Sequence, residues 1–344
     1  MREVLDTTSK VKNVLIVGGA GYIGSHTAKL LLKQGYQPIV LDDLSTGHKE
    51  AARTATKDGP FYQGSYSDVA LVKKIIKIHS IETVMHFGAK ALVSESMSDP
   101  LLYFEANVAG SIQLFKGLLA AGAKNLIFSS TCATFGQPNA NQTISETTTR
   151  VPINPYGRTK LQVEEIIKTL KIAHGLNFAI LRYFNAAGAD PECELGEDHR
   201  NETHLLPLAL KAAIDDKSQK LSIFGTDYPT TDGSCVRDYV HVNDLSEAHI
   251  LAMELITKKS ASYEFNLGAE KGYSVFEVLK LIRKVTGKDV PHEIGKRRQG
   301  DPPILVANSS RAREILGWKP KFGLEAIIST AYEWLRKNPI GYKS

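Results

Sequence analysis

The sequence predicts an α/β protein: a Rossmann-type doubly wound parallel sheet with a smaller, interleaved C-terminal α/β region that binds substrate. Three observations carry this expectation. Short continuous apolar runs alternate with amphipathic stretches through the first half, a glycine-rich turn follows the first run, and the pattern loosens beyond about residue 185. Apolar runs without alternation are what strands buried on both faces look like, and the intervening helices supply the crossovers that a parallel sheet needs.

Taken in order, NVLIV at 13–17 reads as the first strand, SHTAKLLLKQ at 25–34 as a helix and PIVLD at 38–42 as the second strand. VKKIIKI at 72–78 is helix-like, TVMHF at 83–87 a strand, and 102–121 an amphipathic run. NLIFSS at 125–130 is a strand, 155–173 a helix, and FAILRYF at 178–184 a strand. Further helices are expected near 205–215, 244–256, 274–286 and 324–337. The expected division is a dinucleotide-binding region at 1–185, to which 238–268 returns through a helix and the YEFNLG strand, and a mainly substrate-binding region at 186–344.

The totals narrow the function classes. At 344 residues the chain can bury a sizeable core, and no stretch approaches the roughly 18 apolar residues of a membrane span. The first dozen residues lack an apolar segment of the secretory kind. Cys132, Cys193 and Cys235 are odd in number and widely spaced, which argues against a disulfide framework or a zinc site and for a reducing, cytoplasmic setting; no metal is expected. The net charge of +5 comes from dispersed basic residues, so a small anionic ligand is a better partner than nucleic acid.

VLIVGGAGYIGSH places Gly18, Gly21 and Gly24 after the first strand and at the start of the first helix, with Tyr22 and Ile23 between them. Such glycines permit a tight turn, let backbone amides approach a pyrophosphate, and let helix and strand pack closely. Asp42 ends the second strand 18 residues after Gly24, where a carboxylate can accept from a ribose 2′-hydroxyl or, in the plainer reading, cap the turn. With Asp43 adjacent and His48 and Lys49 further along, a 2′-phosphate would meet like charge, which favours NAD over NADP.

INPYGRTK at 153–160 sets Tyr156 and Lys160 one helical turn apart. With 13 tyrosines in the chain, one such spacing is expected by accident, so it decides nothing alone. The strand NLIFSS delivers Ser129, Ser130 and Thr131 to the sheet edge where a ligand lies in this fold, while Asn154 can cap the helix and Pro155 open it. A neighbouring ammonium and an oxidised nicotinamide would lower the phenol toward a working base.

The glycine turn, Asp42, the SST triplet and the Tyr156/Lys160 pair together resemble the extended short-chain dehydrogenase/reductase family. Longer stretches, MHFGAKALVSESMSDPLLYFEANVAGS, RYFNAAGADPE, THLLP, IFGTDYPTTDGSCVRDYVHVNDL and RRQGDPP, resemble its UDP-sugar 4-epimerases, and the likeness covers nearly the whole chain. The resemblance implies inversion at C4 of a UDP-hexose through a bound 4-ketose, with NAD used without net consumption. Tyr156 would be the base, Thr131 would hold the 4′-oxygen, and Lys160 the nicotinamide ribose. It adds Asp43, Ser65, Tyr66, Phe87, Asn107 and Phe184 on the cofactor side. On the substrate side it adds Asn185, His204, Leu205, Phe224, Arg237, Arg298 and Asp301, and it implies a homodimer through the helices near 102–121 and 157–173. Bland readings stand beside some of these: Arg237 and Asp238 as a surface ion pair, Asn185 as a turn residue, Phe224 as core.

The sequence departs from the family at Gly64-Ser65-Tyr66, where an Asp that contacts adenine is usual, at Phe135, where many relatives have Tyr, and at His204, which is Asn in some. Leu305 lies near a position that resembles the family's N-acetyl gatekeeper. The rivals are a UDP-N-acetylglucosamine 4-epimerase or a UDP-arabinose/UDP-xylose 4-epimerase, a simple dehydrogenase, and a non-catalytic NAD-binding regulator. A 4,6-dehydratase would need acidic residues after Thr131, where Cys132 and Ala133 stand.

Overall fold

A computed structural model describes residues 12–138, 143–215, 220–298 and 301–342. Residues 1–11, within the segment read for a secretion signal, and 299–300 of the RRQGDPP stretch lie outside them. The chain runs β1 (Asn13–Val17), α1 (Tyr22–Lys33), β2 (Gln37–Asp42), α2 (Lys49–Thr56), β3 (Phe61–Gln63), α3 (Val69–Ile78) and β4 (Thr83–His86). Then come α4 (Val93–Ser98), α5 (Pro100–Tyr103), a π-helical turn (Phe104–Ala109), α6 (Gly110–Ala121), β5 (Asn125–Thr131), a 3₁₀ turn (Cys132–Phe135), α7 (Pro155–His174) and β6 (Asn177–Tyr183). The remainder is β7 (Asn185–Ala187), α8 (Leu205–Ile214), β8 (Leu221–Phe224), β9 (Val236–His241), α9 (Val242–Lys259), β10 (Tyr263–Leu267), β11 (Gly272–Ser274), α10 (Val275–Thr286), β12 (His292–Gly295), β13 (Ile304–Leu305), a second π-helical turn (Ala312–Leu316) and α11 (Leu324–Lys337).

Seven strands form one sheet in the order β3-β2-β1-β4-β5-β6-β10, every neighbouring pair parallel. The period-2 rule explains why its strands read as unbroken apolar runs. In β1, Val14 and Ile16 join the cluster packed under α1, α2 and α9, while Leu15 and Val17 join the one under α3, α6 and α7. Strand order reverses between β1 and β4, which opens a crevice at their carboxyl ends.

A smaller assembly follows. β9 pairs antiparallel with β11 and parallel with β13 and β7, and β8 pairs with β12. α8, α10 and α11 pack on a third core that includes Leu210, Val278 and Ile327. Between these parts the chain returns to the large sheet: α9 covers α1 and β10 pairs with β6, five residues in register.

Two sequence expectations are adjusted by local chemistry. The helix expected to begin at Ser25 begins at Tyr22, because the glycine turn closes directly onto it. The run at 102–121 is not one helix: Asp99 accepts from the Leu102 amide, Pro100 occupies the first helical position of α5, and the π-helical turn carries Asn107 inward before α6 starts.

Candidate active site

The glycine turn has the form that a pyrophosphate requires. Gly18 holds φ +78, and a Cβ there would sit 2.6 Å from the Gly88 nitrogen; one on Gly24 would sit 2.2 Å from the Gly18 oxygen. A Cβ on Gly21 would meet only the Gly18 oxygen, at 3.4 Å, so that side of the turn is open. No side chain caps α1, which leaves its first-turn amides, those of Tyr22 and Ile23 among them, for an anion. The Tyr22 side chain is turned away, donating to the Gly188 carbonyl at 2.5 Å. Asp42 is buried and accepts from the Ala20 amide (2.9 Å) and the Leu44 amide (2.8 Å), so it does cap the turn; the oxygens keep lone pairs for a ribose hydroxyl. Asp43 accepts from Ser45 and is exposed.

Across the crevice, Phe87 and Gly88 donate their amides to the Val17 carbonyl, which ties the end of β4 to the end of β1. Tyr66 is a wedge: its ring lies 3.0 Å from where a Gly88 Cβ would be, and its hydroxyl donates to the Ala106 carbonyl (2.7 Å). Ser65 shares a hydrogen bond with Ser67 and is exposed. Asn107 spends its amide within the chain. It accepts from the Lys90 amide (2.8 Å) and donates to the Lys90 carbonyl and the Thr159 hydroxyl (both 3.0 Å), so it fixes the loop after β4 against α7. Phe184 is buried with Cys132, Phe135, Ile144, Leu305 and Ala307. These residues fit a dinucleotide laid across the crevice.

The SST triplet and α7 meet at the same edge. Asn154 accepts from the Gly157 amide (2.8 Å) with Pro155 at the first helical position, which sets Tyr156 in the first turn as expected. Lys160 donates to the Ser129 carbonyl (2.9 Å) and lies 4.9 Å from the centre of the Phe128 ring. Ser130 donates to Glu164 (2.6 Å), one turn below Lys160, and Ser129 pairs with the Tyr183 hydroxyl (2.6 Å). Thr131 caps the 3₁₀ turn by accepting from the Ala133 amide, and its hydroxyl is a hydrogen-bonding neighbour of the Tyr156 phenol.

The electrostatics correct one expectation. Burial drives the Tyr156 phenol above its usual range, with Tyr183 adding to the effect and the Thr131 hydroxyl opposing it. The Lys160 ammonium is not among the groups that act most on it: Lys160 donates to the Ser129 carbonyl and is itself depressed to about 7 by burial, against the pull of Glu164. A lysine depressed from 10.5 to about 7 weakens the fold while both states are charged, below about pH 7. Between about 7 and 10.5 the unfolded chain holds a proton that the native chain has released, so stability rises with pH. In protein freed of nucleotide, the thermal-melt advantage of Lys160→Met over wild type should therefore be largest near pH 6 and shrink steadily toward pH 10. An advantage that stays constant would refute this.

On the other side of the crevice, Asn185 opens β7, paired in register with Tyr239, rather than sitting in a turn. Arg237 does not form a surface pair with Asp238. It is buried and ion-paired with Asp301, while Asp238 accepts the amides of Ala269 (2.8 Å), Glu270 (3.0 Å) and Ala307 (3.1 Å). Phe224 is not core: at 36% exposure it ends β8 with the Arg298 guanidinium 3.9 Å above its ring, an aromatic face and a cation together. His204 is the N-cap residue of α8, and Leu205 is the first residue of that helix. Burial works to lower the His204 imidazole, but Glu197 and Glu202 raise it to about 9.

Residues 14–268 match the model of the NAD dependent epimerase/dehydratase family. The chain belongs to that family. Its relatives include a UDP-glucose 4-epimerase of Halalkalibacterium halodurans, 48% identical over 96% of this chain and 98% of the relative. Among solved structures, UDP-glucose 4-epimerase from Brucella ovis in complex with NAD aligns at TM-score 0.89 and 45% identity, covering 94% of this chain and 98% of that one. The UDP-glucose-4-epimerase of Stenotrophomonas maltophila, with bound NAD and formylated UDP-arabinopyranose, aligns at TM-score 0.91 and 36% identity, over 95% and 99% of the two chains. For a member of the NAD dependent epimerase/dehydratase family, the residues that sequence reading missed are those acting behind the pair: Glu164, Arg182 and the Ser129 carbonyl. A second omission is the group Glu197, His199, Glu202 and His204, of which only His204 was singled out. Its signal was present in EDHRNETH, two Glu-x-His units five residues apart.

Proposed function

We propose that this chain interconverts the C4 epimers of a UDP-hexose, UDP-glucose and UDP-galactose, with NAD held in the β1–β4 crevice. The observation that carries the reading is the meeting of Thr131, Tyr156 and Lys160 at the sheet edge facing the glycine turn, in a chain similar along its length to UDP-glucose 4-epimerases. Residues 1–185 with 238–268 hold the dinucleotide and 186–344 mainly the UDP-sugar. Gly18 to Gly24 and the first-turn amides of α1 would hold the pyrophosphate, and Asp42 the ribose. When bound, NAD supplies a positive charge and a reversible acceptor for the C4 hydrogen with its electron pair.

Tyr156 takes the 4′-hydroxyl proton as C4 is oxidised and returns it once the 4-ketose has turned over and been reduced on its opposite face. Thr131 orients the 4′-oxygen. Lys160, anchored by the Ser129 carbonyl, holds the nicotinamide ribose and keeps a positive group near the phenol. Arg237 and Arg298 face the diphosphate, since guanidinium donors match oxyanion pairs, and Asp301 holds Arg237 in place. Phe224 offers a stacking surface for the uracil.

A pentose pair is the second reading, favoured by the formylated UDP-arabinopyranose in the Stenotrophomonas structure. Among the described residues no helix is long and apolar enough to cross a membrane. Three unpaired cysteines support a cytoplasmic setting, and Leu101 (72% exposed) and Ile172 (89%) support a homodimer through the helices around 102–121 and 157–173. The test is incubation of purified protein, without added cofactor, with UDP-galactose, UDP-N-acetylgalactosamine and UDP-arabinose, followed by chromatography of the epimers. Conversion of UDP-galactose, fastest of the three, is expected. No conversion of any of them, even with NAD supplied, would overturn the assignment.

A further inference from the structure

Between β7 and α8 the chain folds two carboxylates and two imidazoles onto one point. Nδ1 of His199 lies 3.5 Å from Oε1 of Glu197 and 3.2 Å from Oε2 of Glu202. Nδ1 of His204 lies 2.5 Å from Oε1 of Glu197 and 3.7 Å from Oε1 of Glu202. One donor atom from each of the four residues falls within 4.8 Å of every other. We propose that Glu197, His199, Glu202 and His204 bind one divalent transition-metal cation of the zinc type.

Charge balance is the first argument. Both carboxylate side chains are only 6% exposed, and among the described residues neither forms an ion pair with Lys or Arg. The nearby Arg200 donates instead to the Leu44 carbonyl. Two buried carboxylates without a lysine or arginine can take their positive charge only from the two imidazoles beside them or from a bound cation, and one divalent cation supplies both charges while leaving the imidazoles neutral as ligands. The neighbouring acidic group shows the contrast: Asp190, Glu192 and Glu194 surround the Lys29 ammonium at 2.6–2.8 Å, and Lys33 also pairs with Glu192, so that group has lysine counter-charges of its own.

Geometry is the second argument. Metal–ligand bonds of 2.0–2.2 Å in a tetrahedron place neighbouring donors about 3.3 Å apart. Among the imidazole–carboxylate separations, His199–Glu197, His199–Glu202 and His204–Glu202, the last measured to the other Glu202 oxygen, are within a few tenths of that value, and the His204–Glu197 pair, now hydrogen-bonded, has to open by about 0.8 Å. Imidazole and carboxylate donors suit zinc, and a closed set of four marks a structural rather than a catalytic ion. Outer support exists as well: the amides of Thr203 and His204 both donate to Oε1 of Glu202 at 2.8 Å and orient it. With Nδ1 on the ion, His204 retains Nε2 for the nucleotide sugar. The ion would pin the loop between the glycine turn, where His199 stands edge-on to Tyr22 at 6.5 Å, and the first turn of α8.

The test uses the full chain, stripped with a chelator, equilibrated with zinc chloride, desalted and measured by elemental mass spectrometry. One zinc per chain is expected. Cobalt(II) in its place should give the intense visible bands of tetrahedral coordination, and His199→Ala with Glu202→Gln should weaken zinc binding at least 100-fold in competition with a chromogenic chelator. If that double variant does not fold by circular dichroism, His199→Gln is measured instead, with the same loss expected. Substoichiometric zinc in wild type, or full zinc in a folded variant, would overturn the proposal.

Discussion

Tyr156→Phe lowers kcat for epimerisation by about 10²–10⁴-fold, the usual contribution of a positioned acid–base group, and leaves the fold and nucleotide binding in place. Only one hydroxyl is removed, and the ring that packs edge-on to Tyr103 at 6.4 Å is retained. KM should move little, because the proton is transferred in the transition state and the sugar's anchoring is assigned to groups across the crevice. The comparison to make is steady-state kcat and KM beside circular dichroism and a thermal melt. A variant with unchanged kcat would leave a protein that binds NAD without catalysing, the regulator reading weighed from the sequence. Because burial raises the phenol in the chain alone, the reaction depends on the charges brought to it.

Arg182→Leu is the substitution expected to damage the fold most, by about 3–5 kcal/mol. Arg182 is fully buried under the active-site edge, donating to Glu164 at 2.8 and 2.6 Å, and it also pairs with Glu264. Glu164 is fully buried too and takes the Ser130 hydroxyl and Arg150 besides. Removing the guanidinium takes two hydrogen bonds from the buried carboxylate and leaves it with the Ser130 hydroxyl and the partly exposed Arg150. Chemical denaturation should show the loss, and the double change Arg182→Leu with Glu164→Leu should recover much of it, since no buried charge is then uncompensated. A single variant within about 1 kcal/mol of wild type would show that Glu164 sheds its charge or finds water, and would refute the argument.

Local chemistry was legible in the sequence and distant pairing was not. The glycine turn, the Asn154–Pro155 helix start and the Tyr156/Lys160 spacing each lie within a few residues, where backbone geometry alone fixes who meets whom. Periodicity reports which face of an element is apolar, but not which element covers it. Arg237 meets Asp301 64 residues away, and Arg182 meets Glu264 at a distance of 82, so neither partner could be read from its surroundings. The Asp238 carboxylate looked like half of a surface pair and instead accepts three amides from two later strand turns. The group at 197–204 is different: it contains no cysteine, and Glu-x-His repeats lie within a polar connection whose composition alone does not mark a ligand set.

The seventh strand has a consequence for biosynthesis. β6 ends at Tyr183, and the strand that completes its far edge ends only at Leu267, 84 residues later. At about 5–20 residues per second a ribosome needs roughly 4–17 s to make that interval. For those seconds the nascent sheet presents an apolar strand with one row of amides and carbonyls unpaired, the form most open to joining another chain. The vulnerable period of this protein therefore lies in the middle of its synthesis, and slow translation between codons 184 and 267 would lengthen it.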